Sequence, residues 1–596
     1  MTLVGLTDNK DILFIQAFLI LKQKGFVCNT INYIRTHSSI VPKVVKEYWA
    51  TQNIHFETHT LPDEGRFSAD TNYDQLEELF FIWYRDIVSE DNDLMVFLGG
   101  GNKIHASLLQ KCAQLFGAKD LFHLFYLDSR GTEPKNEIEI YEAINQNKFL
   151  YFSLGAQSAW PVIKELSISK EQLGFSIRNI TQRISSRTLE EINEYPFECI
   201  NLLPPHAINW LAGFLSEDDK EFIQKLPKVE LHCHLGGFAT EGNLLNEVRK
   251  NADDSHSIGP IKNIPIDHQW PMIEYNISLD SYMKLGDNSG SYILKNTGCL
   301  KKQIKLLYEH LIEQNIKYAE IRCSPVNYEN KIQNSFQVLE TIQHEFENLM
   351  ENSDIPTYCH VNLIIIATRS EDNTSKSINE NLNQAIEYQV HNEGKECKVV
   401  GVDLAGFENI KTRAEIFESN FEPIHRAGIA VTIHAGENDQ SEGIWQAVFK
   451  LSARRLGHAL NLFQDQKLLT SVANRKIGVE MCPYANYQIY GFAPKNNCTI
   501  KYPLLQYLKA GIQVTVNTDN IGISAANLTD NYLLLSHMAP TITRMDVLQL
   551  IRNSLEQAFI NNQHRNDLIK KFNQEIFNLI YSNIKFNDNP EFPYIM

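Results

Sequence analysis

Four short stretches in the second half of the chain concentrate side chains that bind metal ions and move protons: His232-Cys233-His234, His434-Ala435-Gly436-Glu437, Gly457-His458 and Thr518-Asp519-Asn520. Zn²⁺ accepts both imidazole nitrogen and carboxylate oxygen, so three histidines and one aspartate form a sensible ligand set. The HxH spacing has a physical reason, because residues i and i+2 of a strand project to the same side and both rings can reach one ion. Singly, each stretch has a plain reading: two unrelated histidines, a structural Gly-His, a helix cap at Glu437, an N-cap at Asp519. Jointly they carry more, because each falls at the end of its own expected strand.

Those strands come from a long alternation that begins at Lys228. Lys228–His232, Ile316–Arg322, His360–Ile366, Lys398–Leu404, Ile429–Ile433, Arg454–Gly457, Lys476–Met481 and Ile512–Asn517 are β-rich, most of them separated by helical stretches. Eight such units over about 370 residues predict a (β/α)₈ TIM barrel with insertions, whose catalytic groups stand at the C-terminal strand ends. The longest insertion follows the first strand, and its polar 251–290 stretch is expected to act as a lid. Ahead of the barrel, strand-like Leu3–Leu6, Phe26–Ile34, Ile54–His59, Asp93–Leu98 and Leu121–Leu127 alternate with helical Asp11–Lys24, Val41–Thr51, Tyr73–Val88 and 103–116. This predicts an α/β, Rossmann-like parallel sheet with helices on both faces. The expected organisation is this α/β domain over 1–184, a mainly helical connector over 185–225, and the barrel over 226–596.

LPKVELHCHLGG (226–237), YAEIRCSP (318–325), VVGVDLAGFE (399–408), TIHAGE (432–437), RLGHAL (455–460), VEMCPYANY (479–487) and VNTDN (516–520) together resemble the adenosine deaminase family of amidohydrolases. The resemblance implies that His232, His234, His434 and Asp519 bind one Zn²⁺ per subunit. It also implies that Glu437 faces purine N1, His458 the attacking water, and Gly406 the purine edge near N3. The chemistry agrees. Zinc makes hydroxide available near neutral pH, a buried Glu437 can keep the proton that N1 must receive, and His458 accepts or steadies the water's proton while Asp519 orients it. Two positions depart from the family. Gly236 stands where members acting on free adenosine carry an acid, which removes repulsion against a 5′-phosphate and points to a phosphorylated substrate, ATP first. Asn520 replaces a second aspartate and offers N7 an N–H without needing to be protonated. The HxE…PCxxC deaminase pattern is absent from the sequence.

In the N-terminal half, Asp93–Leu98 runs into Gly99-Gly-Gly-Asn-Lys103 and then a helix, an arrangement whose backbone N–H groups suit an anion. With GLTDN (5–9), this resembles the CARF sensors of CRISPR-associated effectors. That resemblance implies binding of a cyclic oligoadenylate (tetra- or hexa-adenylate) across a CARF dimer, with Thr7, Asp8, Asn9, Gly100, Gly101, Asn102 and Lys103 lining the site. A homo-oligomer built on such dimers follows. The two halves together resemble a CRISPR-associated adenosine deaminase, which implies that ATP is turned into ITP when the messenger binds. The alternatives are a constitutive adenosine or AMP deaminase with an assembly-only N-terminal domain, and a messenger-binding protein with an inactive barrel. The composition excludes other classes. Lys plus Arg total 55 against 72 Asp plus Glu, a net charge of −17, which is the wrong sign for duplex nucleic acid. Ten scattered cysteines without a CxxC, no secretory leader and no apolar run of membrane-spanning length predict a cytoplasmic protein.

Overall fold

The computed structural model describes residues 1–7, 11–35, 43–60, 73–91, 93–100, 103–128, 133–157, 195–203, 205–239, 242–258, 278–279, 282, 291–353, 358–490 and 501–583. Two compact units divide the chain: Met1–Glu194 with Glu198–Pro205, and Tyr195–Phe197 with His206–Met596.

The first unit is built on strands β1 (Thr2–Thr7), β2 (Thr30–Arg35), β3 (His55–Thr60), β4 (Leu94–Phe97), β5 (Asp120–Tyr126) and β6 (Phe149–Ser153), in the order β3-β2-β1-β4-β5-β6. Helices α1 (Ile12–Gln23), α2 (Lys43–Thr51), α3 (Tyr73–Glu90) and α4 (Lys103–Phe116) connect the first five strands, and α5 (Glu137–Asn145) precedes the sixth. Leu3, Phe14, Tyr33, Met95, Phe97 and Phe122 sit in its core, as expected where apolar strands are covered by helices. Two expectations are corrected. The second strand starts at Thr30 and not at Phe26, because the Phe26 N–H is still spent on the Leu21 carbonyl (3.0 Å), closing the end of α1. The sheet is not wholly parallel, since β6 pairs antiparallel with β5. The chain turns at Asn147 in the left-handed region (φ 53°), and Tyr151 and Ser153 hydroxyls donate to Asp120 at 2.6 and 2.7 Å, fixing the return along β5.

The second unit holds eight strands: β7 (Lys228–His234), β8 (Ile316–Cys323), β9 (His360–Thr368), β10 (Val399–Ala405), β11 (Ala430–Ala435), β12 (Arg455–His458), β13 (Gly478–Met481) and β14 (Val514–Val516). They neighbour one another in chain order, and every pairing is parallel. Each expected barrel strand is present within two residues or so at either end, the usual uncertainty of strand limits. The ring closes where His234 N–H donates to the Asp519 carbonyl and Asp519 N–H to the His232 carbonyl, both at 2.8 Å. The outer helices start on side-chain caps. Asn334 and Gln337 form a capping box on Ser335–Glu351, and Thr543 and Asp546 do the same on Arg544–Gln557, each satisfying N–H groups that a helix start leaves open.

Inside the ring the alternation of strand side chains brings charge, not the aliphatic layers usual for such barrels. Glu230, Glu320, Arg322, Asp403, Arg455 and Glu480 are all fully buried. All but Glu230 are ion-paired, as buried charges must be; the Glu230 carboxyl instead accepts the backbone N–H groups of His232 and Thr518 at 2.9 and 3.1 Å, and burial pushes it up to about 8. Arg455 reaches Glu320 and Glu480, each at 2.6 Å, and Arg322 reaches Asp403 at 2.6 Å and also Glu480. No helix among the described residues is long and apolar enough to cross a membrane.

Candidate active site

The strand ends of the barrel bring the expected residues together. His232 and His234 close β7, His434 is the penultimate residue of β11, His458 ends β12, and Asp519 follows β14. Their rings crowd one another: His232 lies 4.6 Å from His434 and 5.0 Å from His458, centroid to centroid, and His234 lies 5.3 Å from His434. His458 and Asp519 both hold left-handed backbones (φ 62° and 60°), a costly conformation for residues with a Cβ that clusters at sites of function.

One donor atom from each of His232, His234 and His434 lies within 4.8 Å of the other two. Asp519 Oδ1 adds a fourth, 3.4 Å from His234 Nε2 and 3.8 Å from His232 Nε2. His232 Nε2 is buried with no hydrogen-bond partner, a lone pair aimed into the cluster. Burial holds the His232 and His234 rings well below the usual histidine range, helped by neighbouring positive groups, so they are neutral and able to ligate. The donor set therefore fits a zinc ion. His232, His458 and Cys482 form a second close group, but burial pushes the Cys482 thiol well above its ordinary value, and a thiol is a poor ligand beside a thiolate.

Behind the histidines stands a layer that the strand-end reading did not single out. Glu480 lies 2.9 Å from His232 Nδ1, and Asp403 lies 3.1 Å from His434 Nδ1. Arg322 joins the two carboxylates and also donates to the Leu231 carbonyl at 3.2 Å. Burial by itself would raise Asp403, but His434 and Arg322 outweigh it and hold the carboxyl well below the usual range. Both carboxylates therefore accept from Nδ1 and turn the Nε2 lone pairs toward the cluster. An Asp403→Asn enzyme is expected to hold zinc about 10–100-fold more weakly, measured by competition with a chelator. Unchanged affinity would show that the His434 contact is passive.

Glu437 is buried, and burial, with the Asp519 and Glu408 charges, lifts its carboxyl well above the usual range. Its Oε1 lies 3.7 Å from His458 Nε2. The loop carrying it is held by Glu408, whose carboxylate accepts the successive backbone N–H groups of Gly436, Glu437, Asn438 and Asp439 at 2.9, 3.0, 3.1 and 3.3 Å. Arg369 donates to the His434 carbonyl from the end of β9. Asp403, Glu408 and Glu480 all lie within the motif segments quoted above, and their position there is the signal that could have found them.

The remaining expectations fall out unevenly. A Cβ on Gly236 would overlap Ser291 Oγ and approach Tyr328 Oη to 3.2 Å, so the space a side chain would need is already taken, and the groups facing the glycine are two hydroxyls. Gly406 follows β10 at φ 108°, where a side chain would be strained. One N–H of Asn520 is given to Asp519 Oδ1 at 2.7 Å, and the same side chain also bonds the buried Tyr282 hydroxyl. Most of the 251–290 insertion lies outside the described residues, but Leu279 and Tyr282 are buried against Cys482, Ala485, Ile489 and Ile523, with Tyr282 Oη 3.0 Å from Ser524 Oγ. In the first unit, Thr7 ends β1, Gly100 follows β4 and Lys103 opens α4. A Cβ on Gly100 would meet the Leu6 carbonyl at 2.6 Å, so the glycine turn lies against the end of β1. Asp8, Asn9, Gly101 and Asn102 lie outside the described residues.

A parallel eight-stranded barrel with histidines and acids gathered at its C-terminal rim defines the chain as a hydrolase of the amidohydrolase type. Residues 227–575 match the adenosine deaminase family, and the chain belongs to it. It is 29% identical over 364 residues to an adenosine deaminase of Clostridium acetobutylicum, covering 59% of this chain and 98% of that one. It is 27% identical over 349 residues to an adenine deaminase of Crocosphaera subtropica, covering 59% and 99%. Among solved structures, the N6-methyl-AMP deaminase of Arabidopsis thaliana superposes with a TM-score of 0.47 at 20% identity, over 59% of this chain and 98% of that one. The protein is a hydrolase that acts on C–N bonds of cyclic amidines by hydrolytic deamination.

Proposed function

We propose that the barrel is a zinc-dependent deaminase of adenine nucleotides, with ATP as the favoured substrate and ITP and ammonia as products. The convergence of His232, His234, His434 and Asp519 beside Glu437 and His458 carries this reading. When bound, Zn²⁺ supplies the Lewis acidity that ionises water near neutral pH. Glu437, kept protonated by burial, gives its proton to purine N1 so that the ring accepts electron density when water attacks C6. His458 stands against the attacking water, and Asp519 orients it from the segment after β14, two strands away. C6 gains the water oxygen, one of the water's protons passes to the exocyclic amine, which leaves as ammonia, and the other returns to Glu437 as the C6 carbonyl forms, so adenine becomes hypoxanthine. Gly406 borders the purine edge, and Asn520 offers an N–H to N7. The gathered donor set speaks against an inactive barrel.

A phosphorylated substrate is supported at Gly236, where the neighbouring groups are the Ser291 and Tyr328 hydroxyls, neutral donors that do not repel a 5′-phosphate. We assign residues 1–184 as a CARF-like sensor for cyclic tetra- or hexa-adenylate, 185–225 as the connector and 226–596 as the enzyme. The sensor assignment is supported by the reversal of strand order between β1 and β4, since ligands of open α/β sheets bind where the order reverses, and by Thr7, Gly100 and Lys103 at those strand ends. Binding across a homodimer would raise turnover in type III CRISPR defence by favouring the active state. Ammonia release from adenosine, AMP, ADP and ATP, with and without each cyclic oligoadenylate, tests both parts. The expected result is a kcat/KM for ATP at least about tenfold above that for adenosine, and a rise with one ring size. Preference for adenosine rejects the nucleotide assignment, and indifference to every ring rejects the sensor.

A further inference from the structure

His458 is held from behind by a side chain that none of the roles above includes. Asn486 Nδ2 lies 3.0 Å from His458 Nδ1, and both residues are almost wholly buried. The orientation of that amide is forced. Asn486 Oδ1 receives the backbone N–H of Cys482 at 3.3 Å and the Tyr502 hydroxyl at 2.9 Å. A backbone N–H can only donate, so the amide oxygen must face it, and flipping the amide would set donor against donor. The amide NH₂ is thereby turned onto His458, and it too can only donate. Nδ1 must present a lone pair, which leaves the ring's single proton on Nε2. Nε2 is the atom that faces Glu437, 3.7 Å away.

We propose that Asn486 is the positioning residue that fixes His458 in the Nε2–H tautomer, so that His458 donates a hydrogen bond to the attacking oxygen and does not take the water's proton. The proposal rests on the deaminase reading of the site and sharpens it. A nitrogen that already carries a proton cannot act as a base, whereas an N–H aimed at an oxygen that gains negative charge stabilises it as the reaction proceeds. Tyr502 and the Cys482 backbone hold the amide, and the amide holds the ring.

Two variants of Asn486 separate this role from simple packing. Asn486→Asp keeps the size but offers only acceptor oxygens, so it draws the proton to Nδ1. Asn486→Ala removes the partner and leaves both tautomers open. In zinc-loaded enzyme, Asn486→Asp is expected to lower kcat on the order of 10²–10³-fold, the scale of a wrong-tautomer histidine, with KM within about threefold and zinc content unchanged. Asn486→Ala is expected to lose roughly tenfold. A packing role predicts the reverse order, so an Asp variant as active as the Ala variant overturns the proposal. The ¹⁵N resonances of His458, assigned by difference from His458→Gln, should show the proton on Nε2 in the wild type and on Nδ1 in the Asp variant; a wild-type proton on Nδ1 also overturns it. A wild type that releases no ammonia from any adenine compound rejects the deaminase reading instead, and the nitrogen shifts still decide the tautomer.

Discussion

Replacing Glu437 with glutamine is expected to cost about 10²–10⁴-fold in kcat, the range for loss of a placed general acid, while zinc content and fold stay unchanged. The reason is local. Glutamine keeps the shape and the backbone N–H held by Glu408 (3.0 Å) but has no proton to give to N1. The pH dependence follows with a definite sign. Burial lifts the Glu437 carboxyl well above the usual range, so the acid form is present at neutral pH and disappears as pH rises through the raised value. Wild-type kcat should therefore fall on the alkaline side, and the Gln variant should lose that limb. Ammonia release measured across pH checks both, and a variant within about tenfold of wild type would remove Glu437 from the chemistry.

Stripping divalent ions with a strong chelator is expected to have an effect as large. On the proposed mechanism several kcal/mol of the barrier would depend on Lewis acidity at the cluster, so turnover should drop on the order of 10³-fold or more and return when about one zinc per chain is restored. The four-donor geometry makes the expectation specific. His232 and His434 are held by Glu480 and Asp403 at 2.9 and 3.1 Å, so the donors stay aligned and the loss should be reversible. Full activity after exhaustive chelation, with metal content verified as nil, would refute the metal-dependent reading.

Much of this was open to inspection in the sequence, and the reasons differ by element. The barrel strands were legible because short apolar runs such as Leu363-Ile364-Ile365-Ile366 are bounded by helical stretches and repeat in order. The histidines and acids at their ends could be placed once the strands were placed. The charged lumen was harder to see. Glu320, Arg322 and Glu480 sit inside strands, where a local reading takes them for solvent-facing positions, and only ring closure turns them inward. Asn486 and Glu408 also lie in the quoted motif segments, but their partners, the His458 ring and the backbone N–H groups of Gly436 to Asp439, meet them only in the folded barrel. The return of β6 along β5 was missed because FLYFS gives no hint of direction, which is set by a turn at Asn147 and by hydroxyls on Asp120.

The pairing of β7 with the Asp519 segment has a consequence for how the molecule comes into being. His232 and Asp519 stand on the first and last strands and touch across the joint between them. On the proposed zinc reading, an ion held there would act as a rivet through that joint, so that capturing the ion and completing the ring would become one thermodynamic event. A nascent chain still lacking its last strand would then have no fourth ligand, and on that reading deaminase power would not emerge from the ribosome ahead of the finished fold.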